Sequence, residues 1–154
     1  MKPVKTILII AMLAFSSCVI EDAGSTRSFL INKSAHVIKV VPYLNGSEQV
    51  DAIKLVNPEE KLLVFQMHQR GKIIKPSYAD ILKPYDYVKV IYDNQFTVVH
   101  LKTVAQNPKE LSFENNRNIM NIKNYEFIID KETKHTILNH YNFTFTEQDY
   151  LNAQ

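Results

Sequence analysis

An all-β fold, a single antiparallel β-sandwich with a short C-terminal helical turn, is what three features of this chain predict. Seven or more short runs of β-branched and aromatic residues recur, each bounded by turn-forming residues. Two of them, Tyr87–Tyr92 and Phe96–Leu101, flank Asp93-Asn94-Gln95 and read as a hairpin. Near the end, Phe143 and Phe145 alternate with Asn142 and Thr144, as in a strand with one face buried. An immunoglobulin-like or similar sandwich is expected, and a strongly twisted barrel is the competing architecture. Only three glycines are present, so the turns must rest on Asn, Asp and Pro.

The elements follow in order. Lys2 and Lys5 give the chain a basic start, residues 7–15 are apolar, and Ser16-Ser17 lead into Cys18, the sole cysteine. That is the layout of a secretory signal. The apolar run is far shorter than the roughly 20 residues a helix needs to cross a bilayer. It suits an export machine, not a permanent span. Residues 23–28, small and polar, are expected to form a flexible tether. Phe29-Leu30-Ile31 opens the domain and Asn32-Lys33-Ser34 turns it. Residues 36–41 are β-branched and are expected to stop at Pro42, which has no N–H to give a central ladder. Asn45-Gly46-Ser47 is a strong turn signal. Ile53-Lys54-Leu55 alternates as a half-buried strand, Asn57-Pro58-Glu59-Glu60 turns the chain, and residues 62–67 make a strand closed by Gly71. Residues 76–82 suit a helical turn that Pro84 stops.

In the hairpin, Val88, Val90 and Tyr92 share one face and Lys89 and Ile91 the other. Its expected place is the centre of a sheet. Asn94 tolerates the left-handed conformation its turn needs. Residues 107–118 are polar and turn-rich, and Ile119, Met120 and Ile122 have brief helical spacing. Strand resumes over 125–129, Asp130-Lys131-Glu132-Thr133 turns back, and residues 136–145 form a long strand bent near Asn139. Thr146 then caps a final helix, with Asp149 favoured in its first turn.

Leu13-Ala14-Phe15-Ser16-Ser17-Cys18 resembles a bacterial lipobox. The chain is similar to small Bacteroidota-type lipoproteins, both here and in its closing stretch, residues 141–150. The resemblance implies loss of the signal peptide 1–17, a diacylglycerol on the Cys18 thiol, and an acyl chain such as palmitate on the new amine. Glu21-Asp22 is similar to the acidic signals that export such lipoproteins to the cell surface. The resemblance therefore implies a cell-envelope, outer-membrane location, lipid-anchored and exposed at the surface. It transfers no activity and no site residue besides the lipidation position, Cys18. The organisation that follows is signal peptide 1–17, lipidated cysteine and tether 18–28, and β-sandwich domain 29–154.

Removing residues 1–17 from 154 leaves 137, enough for one domain with a real core. Lys2 and Lys5 depart with the signal, so the 18 Lys and Arg fall to 16 and equal the 16 Asp and Glu. The precursor's pI of about 8.5 thus gives no support for nucleic acid as a partner. Acylated Cys18 would leave no thiol for a disulfide, a metal or redox chemistry.

Candidate chemistry is sparse. No nucleophile motif or glycine-rich phosphate loop occurs. His135 and His140 are five apart, which on a strand puts them on opposite faces. His36, His68 and His100 are the set that folding would have to bring together to make a metal or acid–base site. Glu59-Glu60, and Glu147 with Asp149, are the carboxylate pairs, but each falls at a turn or helix start, where acids are favoured anyway. Tyr78, Tyr85, Tyr87 and Tyr92 lie close in sequence and suit protein or carbohydrate contact if exposed. The expectation is a membrane-anchored envelope lipoprotein acting as a binding or structural module, not an enzyme, with no cofactor or metal. Its partner would be an envelope protein or a surface glycan. The alternative is an envelope hydrolase using carboxylates or histidines assembled by the fold.

Overall fold

The computed structural model describes residues 23–70, 82 and 84–154. The signal segment, Cys18, Gly71 and all of the expected helical turn over 76–82 except Leu82 lie outside them, as does Tyr78. In chain order the strands are β1 (Ala23–Asn32), β2 (Ile38–Leu44), β3 (Ser47–Glu48), β4 (Lys54–Val56) and β5 (Lys61–Arg70). They continue with β6 (Tyr87–Tyr92), β7 (Phe96–Leu101), β8 (Glu110–Leu111), β9 (Glu126–Glu132) and β10 (Thr136–Phe145). A helix, α1 (Glu147–Ala153), follows. One sheet has the order β5-β1-β10-β9, and the other β3-β2-β6-β7-β8 with β4 also paired to β2. The fold is all-β and sandwich-like. Its sheets are mixed, which corrects the antiparallel expectation: β1 runs parallel to β10, and β7 parallel to β8.

Both sheets feed one core. Leu30, Tyr141, Phe143 and Phe145 come from the first sheet, and Ile38, Val40, Val56, Val88, Val90, Tyr92 and Val98 from the second. The expected hairpin is β6–β7, with Val88, Val90 and Tyr92 buried and Lys89 and Ile91 less so. Asp93 and Asn94 both take positive φ (49° and 57°) in its turn, as Asn45 and Gly46 do (51° and 73°) between β2 and β3. These turns let adjacent strands twist together without strain.

The segment 23–28 is not a tether. It is the first half of β1, with β10 on one side and β5 on the other. Small polar side chains bury little apolar area, but a central strand satisfies its backbone on both edges, and that decides its order. Thr26 and Ser28 are fully enclosed, and their hydroxyls have no partner among the described residues.

Strand β2 begins at Ile38 rather than His36 and passes through Pro42. The Pro42 carbonyl accepts from the Gln49 N–H (2.9 Å), so the ring nitrogen faces that same side. It falls between the last β4 pair, Val40 with Lys54, and the first β3 pair, Tyr43 with Glu48. No ladder bond is demanded there.

Strand β9 runs on to Glu132, and the turn falls at residues 133–135, where the Thr133 hydroxyl accepts from the Thr136 N–H (2.9 Å). β10 is bent by a register shift between Leu138 and Asn139. Its outer face is not open at Asn142, which is buried between its register partners Phe29 and Glu126.

Candidate functional site

Helix α1 organises the polar chemistry of the molecule. Its start is fixed by the Asp149 carboxylate, which accepts from the Thr146 N–H (2.8 Å) and the Thr146 hydroxyl (2.9 Å). Its end is held by Lys109, whose Nζ donates to the carbonyls of Ala153 (2.6 Å) and Gln154 (2.7 Å). One side of the helix faces a cavity and the other a surface histidine.

On the cavity side Asp149 also accepts from Arg117 Nε (2.7 Å) and Nη2 (2.5 Å), and the Arg117 Nη2 reaches the Thr144 carbonyl (2.6 Å). The guanidinium lies 5.0 Å from the centre of the Phe143 ring. Arg117 stands on a loop built from asparagines three residues apart. Asn115, Asn118 and Asn121 each accept, through Oδ1, the N–H two residues on: those of Arg117, Met120 and Lys123. Asn118 is fully buried, and its amide donates to the carbonyls of Leu101, Leu111 and Ser112 (2.8–2.9 Å). Such side-chain turns leave the loop few conformations and hold Arg117 in place.

The cavity is about 200 Å³, and Pro108, Asn116 and Asn152 are the exposed residues of its lining. Val98, Phe143 and Phe145 line its apolar part, while Tyr92, His100, Arg117 and Asp149 supply the polar part. His100 is 3% exposed, and its Nδ1 accepts from the Ile119 N–H (3.0 Å). The ring proton therefore sits on Nε2. Burial holds the His100 pKa down at about 3, so the imidazole is neutral at physiological pH. Tyr92 is 2% exposed, and burial followed by the nearby Asp149 charge raises its pKa. It stays a phenol. Neither the Tyr92 hydroxyl nor the His100 Nε2 has a hydrogen-bond partner among the described residues.

On the other side of α1, His36 stacks on Tyr150 with ring centroids 3.4 Å apart and planes within 10°. Its Nδ1 meets the Asp93 carboxylate (2.5 Å) and its Nε2 that of Glu147 (3.1 Å). The bond to Asp93, then that to Glu147, raises the His36 pKa against the opposing effect of burial. The bond to His36, then the Val37 N–H (2.9 Å), lowers that of Asp93. The His36 loop is set by buried Asn32, whose amide donates to the carbonyls of His36 (2.7 Å) and Val56 (3.0 Å).

The three histidines singled out in the sequence are not brought together. His36 lies against α1, His100 in the cavity, and His68 on an exposed stretch of β5 beside Gln66 (2.6 Å). His140, on β10, bonds Asp130 on β9 (2.8 Å), and His135 lies in the turn between these strands. Among the described residues no group of three or more His, Cys, Asp or Glu is placed to hold a metal ion. Glu59 pairs with Lys33, and Glu60 accepts from the Asn57 N–H (2.7 Å) and amide (3.0 Å), so both serve the turn before β5. The other acidic pair divides between the two sides of α1. Of the tyrosines, Tyr87 stacks on Tyr43 (4.7 Å) under Lys89 on the outer face of the second sheet. Tyr85 borders a second, largely apolar cavity of about 270 Å³ lined by Leu30, Val40 and Ile119. Tyr92 points inward and belongs to the α1 cavity. Arg117 carries no sequence signal of its own, and the spacing of Asn115, Asn118, Asn121 and Asn124 is the readable sign of an ordered loop around it.

No protein-family model matches this chain, and no curated protein sequence does.

Proposed function

We propose that this chain is a lipid-anchored protein of the bacterial cell envelope, held at the outer membrane by acyl chains on Cys18, whose β domain is a binding or structural module. The observation that carries this reading is the sole cysteine standing directly after Ser16-Ser17 at the end of an apolar run. Two or more acyl chains hold a protein firmly, at about 0.8 kcal/mol per buried methylene, whereas one holds only marginally.

The start of the folded domain then limits the geometry. Cys18 stands five residues before Ala23, the first residue of β1, and that stretch spans at most about 18 Å. Anchored so, the Ala23 end of the first sheet stands next to the bilayer. β1 carries the chain about 30 Å onward, and α1 begins beside its far end, where Phe145 pairs with Asn32. The cavity and the His36 cluster would therefore face away from the lipid, toward an envelope protein or a surface glycan.

A hydrolase has less support. The His100 Nδ1 lone pair is engaged by a backbone N–H and its Nε2 carries the proton, so the ring has no free base to offer. Asp149 accepts from Thr146 and twice from Arg117, so its oxygens are engaged in holding the helix start and the Arg117 loop.

Replacing Cys18 by Ser tests the anchor. The variant should leave the detergent phase for the aqueous one, and the wild-type protein should show the added mass of acyl chains. Unchanged membrane retention of Cys18→Ser would overturn the reading.

A further inference from the structure

We propose that the α1 cavity binds one neutral sugar ring, either free or at the end of a glycan, with Tyr92, His100 and Arg117 as its hydrogen-bond donors. This rests on the reading of the domain as a binding module.

Two donors argue for a ligand. Tyr92 and His100 are 2% and 3% exposed, yet neither the phenol hydroxyl nor the Nε2–H has a partner among the described residues, and both residues line the cavity. Both residues are buried but neither polar atom is sealed, so the two donors are presented to the cavity and open to whatever enters it. They differ from the Thr26 and Ser28 hydroxyls, which are sealed inside the sheet. Arg117 adds a third donor. Its Nε and Nη2 are taken by Asp149 and Thr144, while Nη1 has no partner among the described residues.

Size and charge narrow the class. A water occupies about 30 Å³, so a cavity of about 200 Å³ holds some six or seven waters, or one sugar ring in their place. Arg117 and Asp149, the charged residues of the lining, are paired with each other, so the cavity offers no net positive charge to hold an anion. An anion is disfavoured there, and a cation would find N–H and O–H groups pointing at it. A neutral molecule with several oxygen atoms matches both constraints. Phe143 and Phe145 on the wall suit the apolar face of such a ring, and the exposed Asn116 and Asn152 add amides to the lining.

The test uses the full chain purified in detergent, with methyl glucoside, methyl galactoside, N-acetylglucosamine and glucuronate as probes in saturation-transfer NMR and titration calorimetry. At least one neutral probe should bind with millimolar affinity or better, and glucuronate more weakly. A matching oligosaccharide that binds more tightly than the single ring marks a glycan end as the source, and equal affinity marks the free sugar. Tyr92→Phe removes one hydroxyl with no partner among the described residues, so it should weaken binding about tenfold with the melting temperature unchanged. Asn152→Trp, at an exposed position of the lining, should block binding without disturbing the core, and it stands as the check if Tyr92→Phe melts early. No binding by any neutral probe, preference for glucuronate, or indifference to both substitutions would overturn the proposal. The mass of Cys18 and detergent partitioning are read on the same sample, so failure here leaves the anchor to be judged separately.

Discussion

The two sides of helix α1 hold the same chemistry in opposite electrical states. Outward, His36 is stacked on Tyr150 and held between the carboxylates of Asp93 and Glu147, and its proton is favoured. Inward, His100 shares a cavity with Tyr92 and Asp149, yet burial and a backbone N–H on Nδ1 keep it neutral. Histidine, tyrosine and carboxylate occur on both sides. What differs is contact with water and whether a carboxylate touches the ring directly. Asp149 faces His100 but is already satisfied by Arg117 and Thr146, so it cannot compensate for the desolvation of a buried imidazolium.

The largest effect should come from breaking the inward side. Arg117→Ala leaves Asp149, 11% exposed, without its paired cation and frees the Thr144 carbonyl. A loss of about 2 kcal/mol in urea unfolding is expected, below the usual cost of breaking a buried pair because Arg117 is itself about a third exposed. A loss under about 0.5 kcal/mol would mean the inward side does not depend on this pair.

Next comes His100→Leu, which strands the buried Ile119 N–H at a cost of about 1–3 kcal/mol near neutral pH. The same variant sharpens the comparison through pH. The folded-state value of His100 lies below the unfolded 6.5, so its contribution is whole above pH 6.5 and is lost as pH falls toward 3. The slope from this one group is at most about 1.4 kcal/mol per pH unit. His100→Leu should flatten the acid limb of a stability–pH curve, and an unchanged limb would show that His100 does not stay neutral.

The smallest effect belongs to the outward side and has the opposite sign. His36 has a raised folded-state value, so its stabilisation is whole below pH 6.5 and disappears as pH rises through that value. Asp93 has a lowered one, so its share fails only as pH drops below the ordinary carboxylate range. Asp93→Asn should therefore lower the melting temperature most between about pH 4 and 6.5 and least in alkaline buffer. A difference that is flat across pH would mean the pair is held by shape alone.

Much of the architecture was legible before any coordinates. The β6–β7 hairpin, the Asn45-Gly46 turn, the bend near Asn139 and the Thr146 helix start were all readable, because each rests on local chemistry: alternation, tolerance of positive φ, or a capping side chain. Residues 23–28 misled because their composition says only that they bury little apolar surface. Two neighbouring strands arriving from residues 61–70 and 136–145 turn them into the interior of a sheet. Pro42 misled in the same way, since its acceptability depends on a gap between β3 and β4 that no local pattern records.

By itself the sequence determined an all-β chain, a hairpin inside a sheet, a closing helix and a lone cysteine at position 18, since these depend on residues close together in the chain. Only the tertiary structure decided that Tyr92, His100, Arg117 and Asp149 share one cavity while His36 sits apart from it. The reason is physical: these residues come from β6, β7, an asparagine-pinned loop and α1. Their charge states follow from burial and field, which exist only after those elements have packed.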